Sequence, residues 1–585
     1  MSKPLGRFET LVRNNVSIFV IVLISLVLIS IIAIVSVYLG FTQPSLYNAI
    51  KTQIDISLEV ILGALAVGTP AIKFFQSLRN RILFKSSNPS VSAKKGPKVL
   101  LWILDGCSVQ AFLDVAKRNK DLKTFYEDGY FAQCVTIFPS ITPAAHSTII
   151  TGCYPFKTRI PAFDWVEVKT DYSGGETREY IRCMPDFKRF REQASKRKFQ
   201  KEFFKGLGDA LELNQRFLSP IVYTIFETLG EDWYTMSIKE WIHRGADSFI
   251  SASINGVLQD MVSKRIIGQK SMIELLSALY KEVSYEFGDL IWGCERKLAD
   301  LMVYWKTGTD TKSHEHGPHS YQVREEVDEA VRKLAETLRF YKIHTNQPIY
   351  VLITADHSQS EVTEFSNLIA DFKRDMSLEY KVADGEDRAY PERMNEAEII
   401  VTNNDRAAFF YLFGEPQTRD KIISYLKGRR EVDLIFYVED GQAKVVQILD
   451  DGFIGPEDIH IFFKGKEQSY PNAVERIEGL VKGDKWGDVV VSMKEGYSLN
   501  PDFRPEKEGE KVLHGDHGGL NFNDSVAPFL IWGPTIRSNK KDENWKMFRT
   551  VDIASTIAKI FKVEHTSTDG RILEVFSEED DKDGS

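Results

Sequence analysis

The chain has 585 residues, with 74 Lys and Arg against 83 Asp and Glu and a formal net charge of −9. A composition of 43% hydrophobic and 27% charged residues excludes a mainly disordered chain. The mild acidity argues against nucleic acid as a partner, because a phosphate-binding surface carries a basic excess. The five cysteines contain no Cys-x-x-Cys pair, which excludes a disulfide scaffold, and Cys107, Cys134, Cys153, Cys183 and Cys294 read as free, mostly buried thiols.

In chain order, the first element is a membrane anchor, residues 1–85. Val16 to Phe41 carries no charge and is almost wholly Val, Ile, Leu and Ser. As a helix it is about 39 Å long at ~1.5 Å per residue, enough to cross a hydrocarbon core of ~30 Å. A signal peptide has a shorter apolar region and a small-residue cleavage site, and neither is evident. Ile56 to Phe75 is a second, weaker span or an amphipathic surface helix, because Glu59 and Lys73 intrude and Gly63, Gly68 and Pro70 lower its helix propensity. Lys3, Arg7 and Arg13 precede the first span, and Arg79, Arg81, Lys85, Lys94, Lys95 and Lys98 follow the second. With both spans inserted, that bias puts both ends and the downstream domain in the cytoplasm; with one span the domain is extracytoplasmic. Residues 86–97 read as a linker.

From Lys98 onward, apolar runs alternate with helical patterns: KVLLWIL at 98–104, PIYVLIT at 348–354, AAFFYLF at 407–413 and APFLIW at 527–532, with helices expected at 325–341 and 551–561. Such runs suit strands buried on both faces of a parallel sheet, so the expected class is α/β with helices on both faces. The segment from about 185 to 305 reads as a helix-rich insertion or cap. The tail, 577–585, is acidic.

Two strands end in polar clusters, Asp105 after the first and Asp356-His357 after the second, where ligands sit in open α/β sheets. Three further motifs carry chemistry-bearing residues: Thr142-Pro-Ala-Ala-His146 continuing to Thr151-Gly152, Asp310-Thr-Lys-Ser-His314-Glu-His316-Gly-Pro318, and His514-Gly-Asp516-His517-Gly518. Carboxylates with imidazoles and no thiolate are the ligand chemistry of catalytic zinc, or of manganese or iron. Thr142-Pro143 also reads as a helix start, with Thr142 as the cap and Pro143 at the first helical position.

These motifs, in this order from about Lys98 to Phe576, resemble the type I phosphodiesterase/nucleotide pyrophosphatase branch of the alkaline phosphatase superfamily. The resemblance implies an alkaline-phosphatase-like sheet over 98–576 and two divalent metal ions, zinc. Asp310, His314 and His517 would hold one ion; Asp105, Asp356 and His357 would hold the other, beside Thr142 as the nucleophile. A threonine hydroxyl is a poor nucleophile until a metal or base lowers its pKa, and paired metals stand ~3.5–4 Å apart. The implied function is hydrolysis of a phosphodiester or phosphate ester, such as a nucleotide derivative or a lipid head group, through a phospho-threonine. Alternatives are a phosphotransferase with an acceptor hydroxyl, a phosphomonoesterase, or a ligand-sensing role without catalysis. His146 is read as supporting the nucleophile helix, His316 and His319 as neighbours of the metal motif, and His514 as a less fitting substitute for His517.

Three departures stand out. Tyr154-Pro155 leads to Thr158-Arg159-Ile160 instead of His-Gly, and Ser358 stands where Gly commonly follows Asp-His. Phe163 aligns with an Asn that donates to phosphate in pyrophosphatase members, a contact of the kind worth ~3 kcal/mol in the transition state. Asp164, Trp165 or backbone amides are the candidates to compensate.

Overall fold

A computed structural model describes residues 96–170, 174–183, 213–250, 298–388, 390–500, 513–539 and 545–577. The spans expected at 16–41 and 56–75, most of the linker, Cys294 and the tail beyond 577 lie outside the described residues. Among the described residues, no helix is long and apolar enough to cross a membrane.

Strand β1, Lys98–Leu104, is buried at every position. Its side chains alternate between two cores, as a period of two requires. Val99, Leu101 and Ile103 enter one core, and Leu100, Trp102 and Leu104 enter the other. This apolar run therefore belongs to the middle of a sheet covered on both sides. The other strands of that sheet are β2 (Tyr130–Val135), β3 (Thr235–Ile238), β4 (Ser248–Ile250), β5 (Leu301–Lys306), β6 (Ile349–Thr354), β7 (Val526–Trp532) and β8 (Met547–Arg549). Their order across the eight-stranded sheet is β8-β2-β7-β6-β1-β5-β3-β4. Every described pairing is parallel except those of β7, which runs against both β2 and β6. The sheet is thus mixed rather than parallel throughout.

Helices cover both faces. On one side lie α1 (Val109–Ala116) and α4 (Tyr321–His344). Helix α4 turns Val327, Val331, Leu334, Leu338 and Tyr341 into the core, an apolar stripe at helical spacing. On the other side lie α2 (Thr142–Thr151) and α5 (Asp552–Ile560), contributing Ile149, Ile150, Ile553 and Ile557. Between β5 and α4 runs α3, Gly308–His316.

One expectation is corrected. The run at 407–413 is a strand, Ala407–Leu412, but of a second, seven-stranded and largely antiparallel sheet. Its continuous apolarity comes from burial on both faces: Phe409 joins the core shared with the main sheet, and Phe410 a third core beneath the second sheet. Of the segment 185–305, the described residues 213–250 and 298–305 hold β3, β4 and most of β5, which extend the central sheet. Strands of four and three residues, TMSI and SFI, are too short to display a period, so they leave no pattern to read. Cys107, Cys134, Cys153 and Cys183 are buried and form no disulfide, as expected.

Candidate active site

The carboxyl ends of β1, β2, β5 and β6 share one edge of the sheet, and each leads into a residue of interest. Asp105 follows β1, Thr142 follows the loop after β2, Asp310 and His314 sit on α3 after β5, and Asp356-His357 follow β6. His517 arrives differently. It precedes β7, and because β7 is antiparallel, its first residue, Val526, pairs with Val135 at the end of β2. One reversed strand therefore brings a fifth segment to the same edge.

Local structure fixes each group. Gly106 adopts φ 61°, a left-handed turn where a Cβ would stand 2.9 Å from Asp310 Oδ1, so the Asp105-Gly106 pair is specific. Its amide donates to Asp356 Oδ1 at 3.1 Å. On α3, Asp310 and His314 are four residues apart and share a helix face, with His314 Nε2 3.3 Å from Asp310 Oδ1. Helix α2 begins at Thr142 itself, with Ile141 in the cap position, so Thr142 is not the cap. Ile141 has no side-chain oxygen, and the Thr142 hydroxyl, not used in capping, lies 3.0 Å from His357 Nε2.

The three histidines are oriented alike. Nδ1 of His314 meets the Gly515 carbonyl at 2.7 Å, Nδ1 of His517 the Ser140 carbonyl at 2.8 Å, and Nδ1 of His357 the Ser358 carbonyl at 3.1 Å. A carbonyl at Nδ1 holds the tautomer whose Nε2 lone pair can bind a metal. The His357 and His517 rings stack at 3.9 Å.

Ligand atoms gather in overlapping sets. Those of Asp310, His314 and His517 lie within 4.8 Å of one another, as do those of Asp105, Asp310 and His357. Ligands ~2.0–2.1 Å from a tetrahedral zinc stand about 3.4 Å apart, and His314 and His517 lie 3.3 and 3.7 Å from Asp310 Oδ1. Asp356 belongs to neither of these sets, but its Oδ2 lies 3.2 Å from His357 Nε2. Asp105 Oδ1 and Asp356 Oδ2 are buried without hydrogen-bond partners, a costly state unless a cation meets them. The donors present therefore fit a pair of divalent ions. Asp310 stands in both sets, where the sequence assigned it to one.

The charges are strongly coupled. Burial, then Asp356 and Asp310, push the Asp105 carboxyl well up. For Asp356, burial raises the pKa but His357 and His146 prevail and hold it at about 2. For His314, burial opposes the charge but Asp310 prevails, raising it to about 10. Burial and the neighbouring His357 drive His517 well down.

The structure also adds residues. Asp405, in the turn between the Ile399–Asn404 and Ala407–Leu412 strands, places Oδ2 3.9 Å from His517 Nε2. With Asp516 and His517 it forms a third set within 4.8 Å. Burial, then Asp516, raise Asp405 to about 7. Asn-Asn-Asp-Arg signals a turn, but no local pattern says where that turn points. Glu240, two residues past β3, is wholly buried against His146. His316, His319 and His514 are exposed, so His517 and not His514 faces the cluster. Beside Phe163, the Asp164 carboxylate is taken by Arg182 and Tyr180, and Trp165 Nε1 donates to Glu167. Neither side chain is free to replace the missing Asn.

A search of curated protein sequences finds no significant match. Among solved structures, murine ectonucleotide pyrophosphatase/phosphodiesterase 5 is similar at 14% identity, over 82% of this chain and 100% of that one, with a TM-score of 0.49. Its human counterpart is similar at 14% identity, over 81% and 97%, with a TM-score of 0.48. Alkaline phosphatase PafA, at 14% identity over 83% of this chain and 100% of its own, has a TM-score of 0.52 and shares the fold. The sequence model of the type I phosphodiesterase/nucleotide pyrophosphatase family matches residues 99–520, well over half of the chain. The chain belongs to the type I phosphodiesterase/nucleotide pyrophosphatase family and is a hydrolase of the phosphodiesterase/phosphatase type.

Proposed function

We propose that the chain is a membrane-anchored two-metal hydrolase of phosphodiester or phosphate ester bonds, with Thr142 as its nucleophile. The observation that carries this is the Thr142 hydroxyl 3.0 Å from His357 Nε2, beside two buried carboxylate oxygens that lack partners. Asp310, His314 and His517 would hold one ion, and Asp105, Asp356 and His357 the other, the ions being zinc. Bound ions would supply Lewis acidity, lowering the pKa of a hydroxyl or water and offsetting charge on the phosphoryl oxygens. Thr142 Oγ1 attacks phosphorus in line; the Thr–O–P bond forms as the bond to the leaving oxygen breaks. Water then cleaves that bond, releases the phosphoryl product and restores the hydroxyl. The start of α2 favours the anion, since a helix N-terminus carries partial positive charge.

The anchor reading rests on the uncharged run 16–41 and the weaker run 56–75, and the basic residues outside them favour a hairpin with residues 98–576 in the cytoplasm. The substrate would be a nucleotide derivative or a lipid head group, and the anchor is compatible with one close to the membrane. The test is turnover of bis-p-nitrophenyl phosphate against p-nitrophenyl phosphate by the zinc-loaded full chain in detergent. Preference for the diester is expected. Preference for the monoester makes it a phosphatase, and no turnover of either with zinc bound defeats the reading.

A further inference from the structure

Helix α2 presents two groups to the site, four residues apart and so on one face: Thr142 and His146. His146 is completely buried and does not reach the three-histidine cluster. Its Nδ1 meets Glu240 Oε1 at 2.6 Å, and its Nε2 lies 3.3 Å from Asp356 Oδ2. The second contact has ion-pair distance but not hydrogen-bond alignment, since both of its atoms lack hydrogen-bond partners. The Trp305 ring closes the pocket, edge to face with the imidazole at 5.1 Å.

Glu240 is itself held. The residue before it, Lys239, adopts φ 62°, an uncommon conformation for a residue with a Cβ. Beyond it, the Ile242 amide donates to Glu240 Oε1 at 3.2 Å. The backbone just past β3 is therefore bent so that a carboxylate enters a space with no water access. A buried carboxylate is costly without a hydrogen-bond partner, and His146 Nδ1 is the side-chain group it meets.

We propose that Glu240 is a positioning residue of the second metal site, acting through His146 on Asp356. The imidazole lies between the two carboxylates, hydrogen-bonded to Glu240 through Nδ1 and 3.3 Å from Asp356 Oδ2 through Nε2. Glu240 holds the ring in place. The ring then sets the position of Asp356 Oδ2, while the Gly106 amide fixes Oδ1 from the other side. Partners behind a ligand tune a metal in this way, and losing one costs ~10–100-fold in metal affinity or activity.

The inference rests on the two-metal reading, so its test begins with the wild type. Zinc affinity is measured on the full chain in detergent, by chelator competition with zinc alone. Two equivalents are expected, and fewer than two overturns both the two-metal reading and this inference. With two bound, the E240Q protein should hold one equivalent ~10–100-fold more weakly and leave the other unchanged. Glu240→Asp, which keeps the charge one methylene short, should recover part of the loss. With saturating zinc, kcat should fall while KM holds. Unchanged affinity for both equivalents overturns the inference, and so does equal weakening of both, which marks a general loosening of the fold. If E240Q does not fold, His146→Gln reads the same contact through the same selective loss, with the same two overturning results.

Discussion

The two halves of the proposed metal centre differ in depth. The half built from Asp105, Asp356 and His357 is sealed, with side-chain exposures of 5%, 0% and 0%. The other half is more open at Asp310 and His314, at 19% and 25%, while its third residue, His517, is 3% exposed. The sealed half sits against Thr142 and is braced from behind by His146; in the more open half, backbone carbonyls hold the two histidines and the Gln359 amide donates to Asp310. A preorganised nucleophile belongs where water is excluded and every electrostatic contact is strengthened. Water that completes hydrolysis, and a departing product, need the opposite. On the proposed two-metal reading, the buried half would fix the attacking oxygen and the more open half would admit the second reactant.

The strongest way to break this comparison is Thr142→Ala, measured as single-turnover phosphodiester cleavage. Loss of the nucleophile should cost at least about 10³-fold in kcat, since removing such a group elsewhere costs ~10⁶-fold, while both zinc equivalents remain bound. A second test is chelation. The ion of the open half should leave first, giving biphasic loss of zinc, and a single phase would contradict the difference in depth. A third is pH. In the metal-free protein, His314 is raised to about 10 by Asp310, so their ion pair stabilises the fold fully below the ordinary histidine value. That contribution is lost as pH rises through about 10; Tm of the metal-free protein should fall over that window, and zinc should flatten the profile because the ion displaces the proton. The smallest effect sharpens the boundary of the site. His316→Ala, two residues from His314 but exposed, should leave kcat unchanged and stability within about 0.5 kcal/mol.

Much of this arrangement can be read in the sequence, because the site sits where fully apolar strands end abruptly in polar residues. β1 with Asp105, and β6 with Asp356 and His357, are of this kind. The helix expected at 325–341 is the middle of α4, whose apolar stripe repeats over many turns. Other parts leave no such trace. The apolar run at 407–413 identifies a strand but not its sheet, since burial on both faces looks the same in either. β3 and β4 are too short to show a period, and Glu240, lying just past β3, is hidden with them. Asp405 and Glu240 act across distances of more than ninety residues in sequence, and a single carboxylate in a turn carries no sign of the histidine it will face.

The place of His517 late in the chain also bears on how the protein is made. It directly follows Gly515-Asp516, which pairs with Ser360-Glu361, and its Nδ1 meets the Ser140 carbonyl. A chain still emerging from the ribosome can lay down β1, β5 and β6 in parallel, yet it cannot close the Asp310–His314–His517 set until His517 itself has been synthesised. On the two-metal reading, the ion of that set would be captured late, and a truncation ending before residue 517 should lose it even where the strands already in place have formed.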